Sequence, residues 1–308
     1  MKIGVTPWDF SGLSARTLSQ QAARAEALGY ESFWLPENHF NTNAIPDPLM
    51  LLAAVAAATD RIRLATTSYL LPLRHPLQAA EQVAVLDQLS GGRVTLGIGR
   101  GFAPAMLKAF DVVPSEKRRL FERCLAVMQQ AWSGEPVSIG DDPADQVVLN
   151  PLPVQTPHPP LWVAAFGPKA LAQAGRLGLP YLASPMESLA VLETNYARHA
   201  EAATDAGHAG IRTVPVMRTV FLAPSTRQAE EIREHVHSEA QKTGRLAEGA
   251  TVDDWTIIGD RHLIRDRVAE YRERLNVSHL IVTRLRVGGL GRAEVEKSIT
   301  NLAETIIQ

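Results

Sequence analysis

A chain of 308 residues with 45% hydrophobic and 21% charged residues reads as a soluble folded protein, long enough for one large domain or two ordinary ones. Its formal net charge of -2 excludes a general nucleic-acid surface, which needs a strongly basic balance. The lone cysteine, Cys124, excludes an internal disulfide, and the lack of a basic leader or of an apolar run of about 18 to 20 residues sets the expectation of a cytoplasmic protein.

In chain order, segment 3–7 is a short apolar strand with Trp8 at its carboxyl end. A helix over about 14–28 follows, with Leu18, Ala22 and Ala25 on one side and a stop at Gly29. Segment 32–36 is a second strand that ends in Glu37-Asn38-His39-Phe40, and 48–59 is an Ala- and Leu-rich helix. Segment 64–70 reads as one strand, followed by a turn at Pro72–Pro76, a helix to Leu89 and a break at Ser90-Gly91-Gly92-Arg93. The next strand, 94–99, turns Val94, Leu96 and Ile98 to one face and Thr95, Gly97 and Gly99 to the other. Glycine inside a strand costs stability. The stripped face therefore implies a close approach by something flat, or small residues fitted to a crowded barrel interior.

Ser115 opens a long helix to about Trp132, with Phe121, Cys124, Leu125 and Met128 as its apolar stripe. Residues 134–160 are Pro- and Asp-rich with two short β-like runs, an insertion hairpin. Segment 161–165 is the fifth strand, turning through Phe166-Gly167-Pro168 into a helix; 180–184 is the sixth, with a helix over about 187–206. Segment 214–222 is the seventh, and Ser225 caps the charged helix after it. A less regular stretch leads to 255–259 and a helix over 264–275; segment 280–284 is the eighth strand, and a helix over 293–307 closes the chain. Eight strands alternating with helices predict an α/β fold, a single (β/α)8 TIM barrel over 1–308 with an insertion near 134–160.

In such barrels the reactive groups gather at the carboxyl ends of the strands. Those ends hold Trp8, Glu37-Asn38-His39, Thr67-Ser68, Arg100-Gly101, Phe166-Gly167-Lys169, Ser184, Arg218 and Arg284. Glu37 with His39 is too small a set for a hydrolytic metal centre, so no metal site is expected. No Ser-His-Asp set, P-loop or GxGxxG turn is present. A cationic, apolar-walled mouth without protein nucleophiles suits an organic cofactor that brings its own chemistry.

The motifs Trp34-Leu-Pro-Glu-Asn-His-Phe40, Leu71-Pro-Leu-Arg-His-Pro76, Leu86-Asp-Gln-Leu-Ser-Gly-Gly-Arg93, Gly97-Ile-Gly-Arg-Gly101, Trp162-Val-Ala-Ala165 and Ile257-Ile-Gly259, taken in order, resemble those of the bacterial luciferase-like flavin monooxygenases. The resemblance implies a barrel with an insertion, a homodimer, and reduced FMN from a separate reductase or, in one branch, the deazaflavin F420. It implies an oxidoreductase that uses O2 to oxidise a small organic substrate. Thr67 and Ser68 would lie under the flavin ring, joined by a non-proline cis peptide. Arg100, Gly101, Ala165, Phe166, Gly167 and Lys169 would meet the ribityl phosphate. Glu37, Asn38 and His39 are the catalytic candidates, with His39 or Glu37 handling a proton. Trp8, Phe40 and Phe102 would wall the substrate space, and Arg218 or Arg284 would hold a substrate anion. Two departures stand out. Asn38 replaces the first of two adjacent histidines, and Phe166-Gly167 replaces a phosphate-binding serine. A deazaflavin-dependent hydride-transfer enzyme and a flavin-binding protein without turnover are the alternatives.

Overall fold

The computed structural model describes residues 1–9, 14–42, 44–142, 144–208, 210–242, 249–283 and 290–307. In chain order the elements are β1 Lys2–Val5, α1 Ala15–Ala27, β2 Ser32–Leu35, α2 Pro48–Ala56, β3 Arg63–Thr66, β4 Tyr69–Leu70, α3 Pro76–Leu89 and β5 Val94–Gly99. They continue with α4 Pro104–Ala109, α5 Lys117–Trp132, β6 Val137–Ser138, β7 Gln146–Val147, β8 Leu161–Ala164, α6 Pro168–Arg176, β9 Tyr181–Leu182 and α7 Leu189–Asp205. The last are β10 Pro215–Leu222, α8 Thr226–Gln241, β11 Thr256–Gly259, α9 Arg261–Leu275, β12 His279–Thr283 and α10 Arg292–Ile306. The chain divides into two compact units: residues 1–10, 21–34 and 163–308 form the first, and residues 11–20 and 35–162 the second.

In the first unit β1 pairs in parallel with β2 and with β12, and β10 pairs in parallel with β12 and β11. The eight residues of β10 serve both neighbours: Pro215–Thr219 faces β12, and Thr219–Leu222 faces β11. Segment 256–259, outside the predicted strand count, is thus a true parallel strand. Burial of all four of its residues explains why the sequence shows no alternation there. Helix starts follow local chemistry: Ser188, Ser225 and Asp260 each accept a backbone N–H three residues on, at the heads of α7, α8 and α9.

In the second unit β3 and β4 both pair in parallel with β5, every residue of which is buried. The predicted single strand 64–70 is two pieces, separated by a cis peptide between Thr67 and Ser68. Asp47 caps α2 by accepting from Met50 N, and Pro48 opens the helix where its missing N–H costs nothing. α5 starts at Lys117 after Glu116, with no side-chain cap, so Ser115 does not play the predicted role. Its stripe of Phe121, Cys124, Leu125 and Met128 is buried as its period requires. α4 has no counterpart in the sequence reading, because its six residues are too few to show a period.

The insertion forms an antiparallel pair, Val137 with Val147 and Ser138 with Gln146. Asp87, fully buried on α3, holds its return: Oδ2 accepts from Gln155 N and Oδ1 from Gln155 Nε2. The break at Gly91-Gly92 delivers Arg93, which donates to Ala56 O, Thr59 O, Thr59 Oγ1, Ile62 O and Ser90 O. One guanidinium therefore satisfies the carbonyls behind α2 and before β3, which no helix or strand partner serves.

Candidate functional site

Glu37 follows β2 with its carboxylate fully out of water. Oε2 accepts from Leu70 N at 2.9 Å, and Oε1 from Arg74 Nη1 and His39 Nε2, both at 2.9 Å. The same Arg74 nitrogen donates to Leu70 O at 2.8 Å, and the guanidinium carbon lies 3.7 Å from the centre of the Tyr69 ring. His39 also meets the Phe110 ring edge-on, with centroids 4.8 Å apart. Glu37 thus ties the end of β2 to β4 and to the turn after it. His39 is occupied by that tie, with only 8% of its side chain exposed.

Asn38 has none of these partners. It exchanges two hydrogen bonds with Ile45, donating its N–H to Ile45 O and accepting Ile45 N on Oδ1, both at 3.0 Å. Phe40 is 73% exposed and Phe102 69% exposed. Trp8, in the first unit, is 9% exposed, and its backbone N–H donates to Gln21 Oε1.

At the end of β5 the sequence predicted space for a flat partner. At Gly99 the space belongs to Ser68: a Cβ there would collide with the Ser68 side chain and come within 3.3 Å of Leu70 Cδ2. Gly99 is glycine so that Thr67-Ser68 can bend against β5.

Arg100 is 7% exposed and lies over the Phe121 ring, 5.2 Å from its centre. Burial, then the neighbouring Arg118, lowers its pKa to about 10, with Glu122 opposing. Lys117 donates to Gly101 O at 3.3 Å, and burial, Arg100 and Arg118 pull it below its ordinary value. Three cations thus crowd one backbone turn, an arrangement that favours an anion among them. Lys117 was not a candidate in the sequence reading; it stands 16 residues from Gly101, on a helix whose first turn looks like an ordinary solvated surface.

In the first unit, Ala165 is buried, Phe166 is 68% exposed and Gly167 has φ 80 with open space where a side chain would be. Gly167 precedes α6, whose first turn has no side-chain cap and begins at Pro168, with Lys169 exposed beside it. Such uncapped amides suit an anion. Arg218, a candidate for a substrate anion, is fully buried and donates to Tyr271 Oη, Met217 O, Glu187 O and Ser184 O. Its donors are committed to the protein, because β10 turns this side chain toward α9. Arg284 lies outside the described residues. Among the described residues no group of three His, Cys, Asp or Glu side chains is placed to hold a metal ion.

Glu187, absent from the candidate set, anchors the loop after β9: it accepts from Tyr181 Oη at 2.6 Å, Ser184 N at 2.9 Å and Asn195 Nδ2 at 2.8 Å. Burial raises it above the usual 4.5, against those three bonds and Arg218. A raised carboxyl pKa means that the folded chain holds a proton the unfolded chain has lost. The stabilising contribution is therefore complete below about pH 4.5 and declines as pH rises through the raised value, by up to about 1.4 kcal/mol per pH unit. Urea unfolding from pH 4.5 upward should show this decline in the native chain and a flatter course in Glu187→Gln.

A buried carboxylate tie, a cation-crowded turn and exposed aromatic rings thus stand at the strand ends of an α/β fold. The chain belongs to the luciferase-like monooxygenase family, whose pattern it matches over residues 3–277. A curated relative, the oxygenase component of flavin-dependent trigonelline monooxygenase from Acinetobacter baylyi, is 28% identical over 168 residues, 53% of this chain and 46% of that protein. The oxygenating constituent of 3,6-diketocamphane monooxygenase from Pseudomonas putida, solved with FMN, superposes with a TM-score of 0.81 at 20% identity, covering 99% of this chain and 98% of that one. An F420-dependent secondary alcohol dehydrogenase reaches 0.81 at 19% identity, covering 100% and 99%. These likenesses show the fold, the luciferase-like (β/α)8 barrel. The matched stretch spans 65% and 57% of the length of two further curated relatives.

Proposed function

We propose that this chain is an oxygenating component that takes reduced FMN from a separate reductase and uses O2 to oxidise a small organic molecule. The observation that supports this reading is the crowding of Arg100, Lys117 and Arg118 near Gly101, where burial and the neighbouring cations lower the pKa of Arg100 and Lys117. The residues around Gly101 fit FMN in their chemistry, offering cations and a glycine turn for a phosphate. Bound reduced flavin supplies the electrons that activate O2. Arg100, Gly101 and Lys117 hold the phosphate end, and Thr67-Ser68 backs the ring. Phe40 and Phe102 offer apolar contact to the substrate. Glu37 fixes the Thr67–Leu70 segment and holds His39 in one orientation, acting as a positioning group.

We place the protein in the cytoplasm as a homodimer. No helix among the described residues is long and apolar enough to cross a membrane. F420 is the second reading, supported by the equal fold likeness to an F420-dependent enzyme. Anaerobic titration with FMN and F420, each oxidised and reduced, decides between them: tightest binding of reduced FMN is expected. Preference for F420 would move the chain to hydride transfer, and indifference to all four would end the flavin reading.

A further inference from the structure

A row of threonines crosses four parallel strands of the first unit. Thr219 of β10 is in register with Thr283 of β12 and with Thr256 of β11, and Thr6, the first residue after β1, donates its N–H to Val282 O beside Thr283. Residues in register on parallel strands share a face. Arg218, one residue back, donates to Tyr271 on α9, so the row lies on the face of the sheet opposite α9. Met217 and Ile281, two residues back on the same face, are buried and apolar. Thr6 and Thr283 also mark the carboxyl ends of β1 and β12, where (β/α)8 enzymes keep their reactive groups.

The hydroxyls of this row are not all used. Thr256 Oγ1 donates to Val252 O at 2.8 Å, and Thr6 and Thr283 share one hydrogen bond of 3.4 Å. Two hydroxyls with one bond between them leave one proton over, whichever way the bond runs. Thr219, 1% exposed, has no hydrogen-bond partner for Oγ1 among the described residues. A buried hydroxyl left unpaired is costly, and valine would fill the same volume without that cost. Two donors on neighbouring strands suit one oxygen with two lone pairs. That oxygen is uncharged, since the row itself carries no charge and Arg218 gives its donors to the protein. We propose that Thr219 and the Thr6–Thr283 pair bind the carbonyl oxygen of the organic substrate, with Met217 and Ile281 as apolar neighbours. This rests on the reading above for there being such a substrate, and it names the class: a ketone or aldehyde.

The probes are cyclohexanone and methylenecyclohexane, which differ by an oxygen in place of a CH2 group, titrated without flavin and followed by ligand-detected NMR. The native chain should bind the ketone about fivefold or more tightly than the alkene, within the worth of one or two neutral hydrogen bonds. Thr219→Val should reduce that preference to about twofold or less, and Thr219→Ser, which keeps the hydroxyl, should retain it. Because the hydroxyl has no protein partner, the urea midpoint of Thr219→Val should equal or exceed that of the native chain. Equal affinity for the two probes in the native chain, a preference that survives in Thr219→Val, or a lower midpoint in that variant overturns the proposal. FMN affinity, measured separately, should be the same in the native chain and in Thr219→Val; a loss confined to FMN assigns the hydroxyl to a flavin carbonyl and overturns the proposal as well. A native chain that distinguishes the probes yet binds no flavin overturns only the flavin reading.

Discussion

Replacing Glu37 with alanine should destabilise the chain by about 3 kcal/mol or more, the cost of leaving a mostly buried cation without its partner. Three donors lose their acceptor at once: Leu70 N, Arg74 Nη1 and His39 Nε2. Arg74 is 16% exposed and Leu70 is buried, so water reaches neither easily. The double variant Glu37→Ala/Arg74→Ala should lose less than the sum of the single changes, because removing both charges removes the uncompensated one. Urea unfolding of the four proteins checks this. A loss below about 1 kcal/mol in Glu37→Ala, or strict additivity, would show that the tie is incidental.

Arg100→Ala should weaken FMN binding roughly 10- to 150-fold, the range for one hydrogen bond between charged groups. Riboflavin, which lacks the phosphate, separates this from general damage. The native chain should prefer FMN to riboflavin, and the variant should bind the two alike. Lys117→Ala should reduce the same preference by a smaller factor, since its ammonium is more exposed and better screened. Equal losses for FMN and riboflavin would mean that Arg100 supports the packing on Phe121 and not the phosphate.

The fold was legible because its signals are local. The alternation of Val94, Leu96 and Ile98 with small residues marks β5, Ser225 caps α8, and Gly29 takes the positive φ that ends the turn after α1. Two stretches were misread for the same reason in reverse. The strand at 256–259 is buried on every residue, and segment 64–70 is two strands of which the second has only two residues, so neither shows its state in a two-residue period.

The candidate site was legible as a set of residues at strand ends, and less so as an arrangement. Chain order put Glu37, Asn38 and His39 side by side as if equivalent. The tertiary structure separates them, because Leu70 N and Arg74, more than 30 residues away, draw Glu37 and His39 into one tie while Ile45 holds Asn38. Arg218 ends a comparable search: a site cation in the sequence reading, it lies within β10 and its donors go to the Tyr271 hydroxyl on α9 and to the carbonyls of Met217, Ser184 and Glu187. Lys117 is the opposite case, an unremarkable helix-start lysine until folding sets it under Gly101. By itself, then, the sequence determined the succession of strands and helices, the family, and which residue types stand at the strand ends, since each is written in a local period or motif. Which of those groups keep a free donor was decided by tertiary structure alone, because hydrogen bonds between segments distant in the chain leave no trace in local spacing.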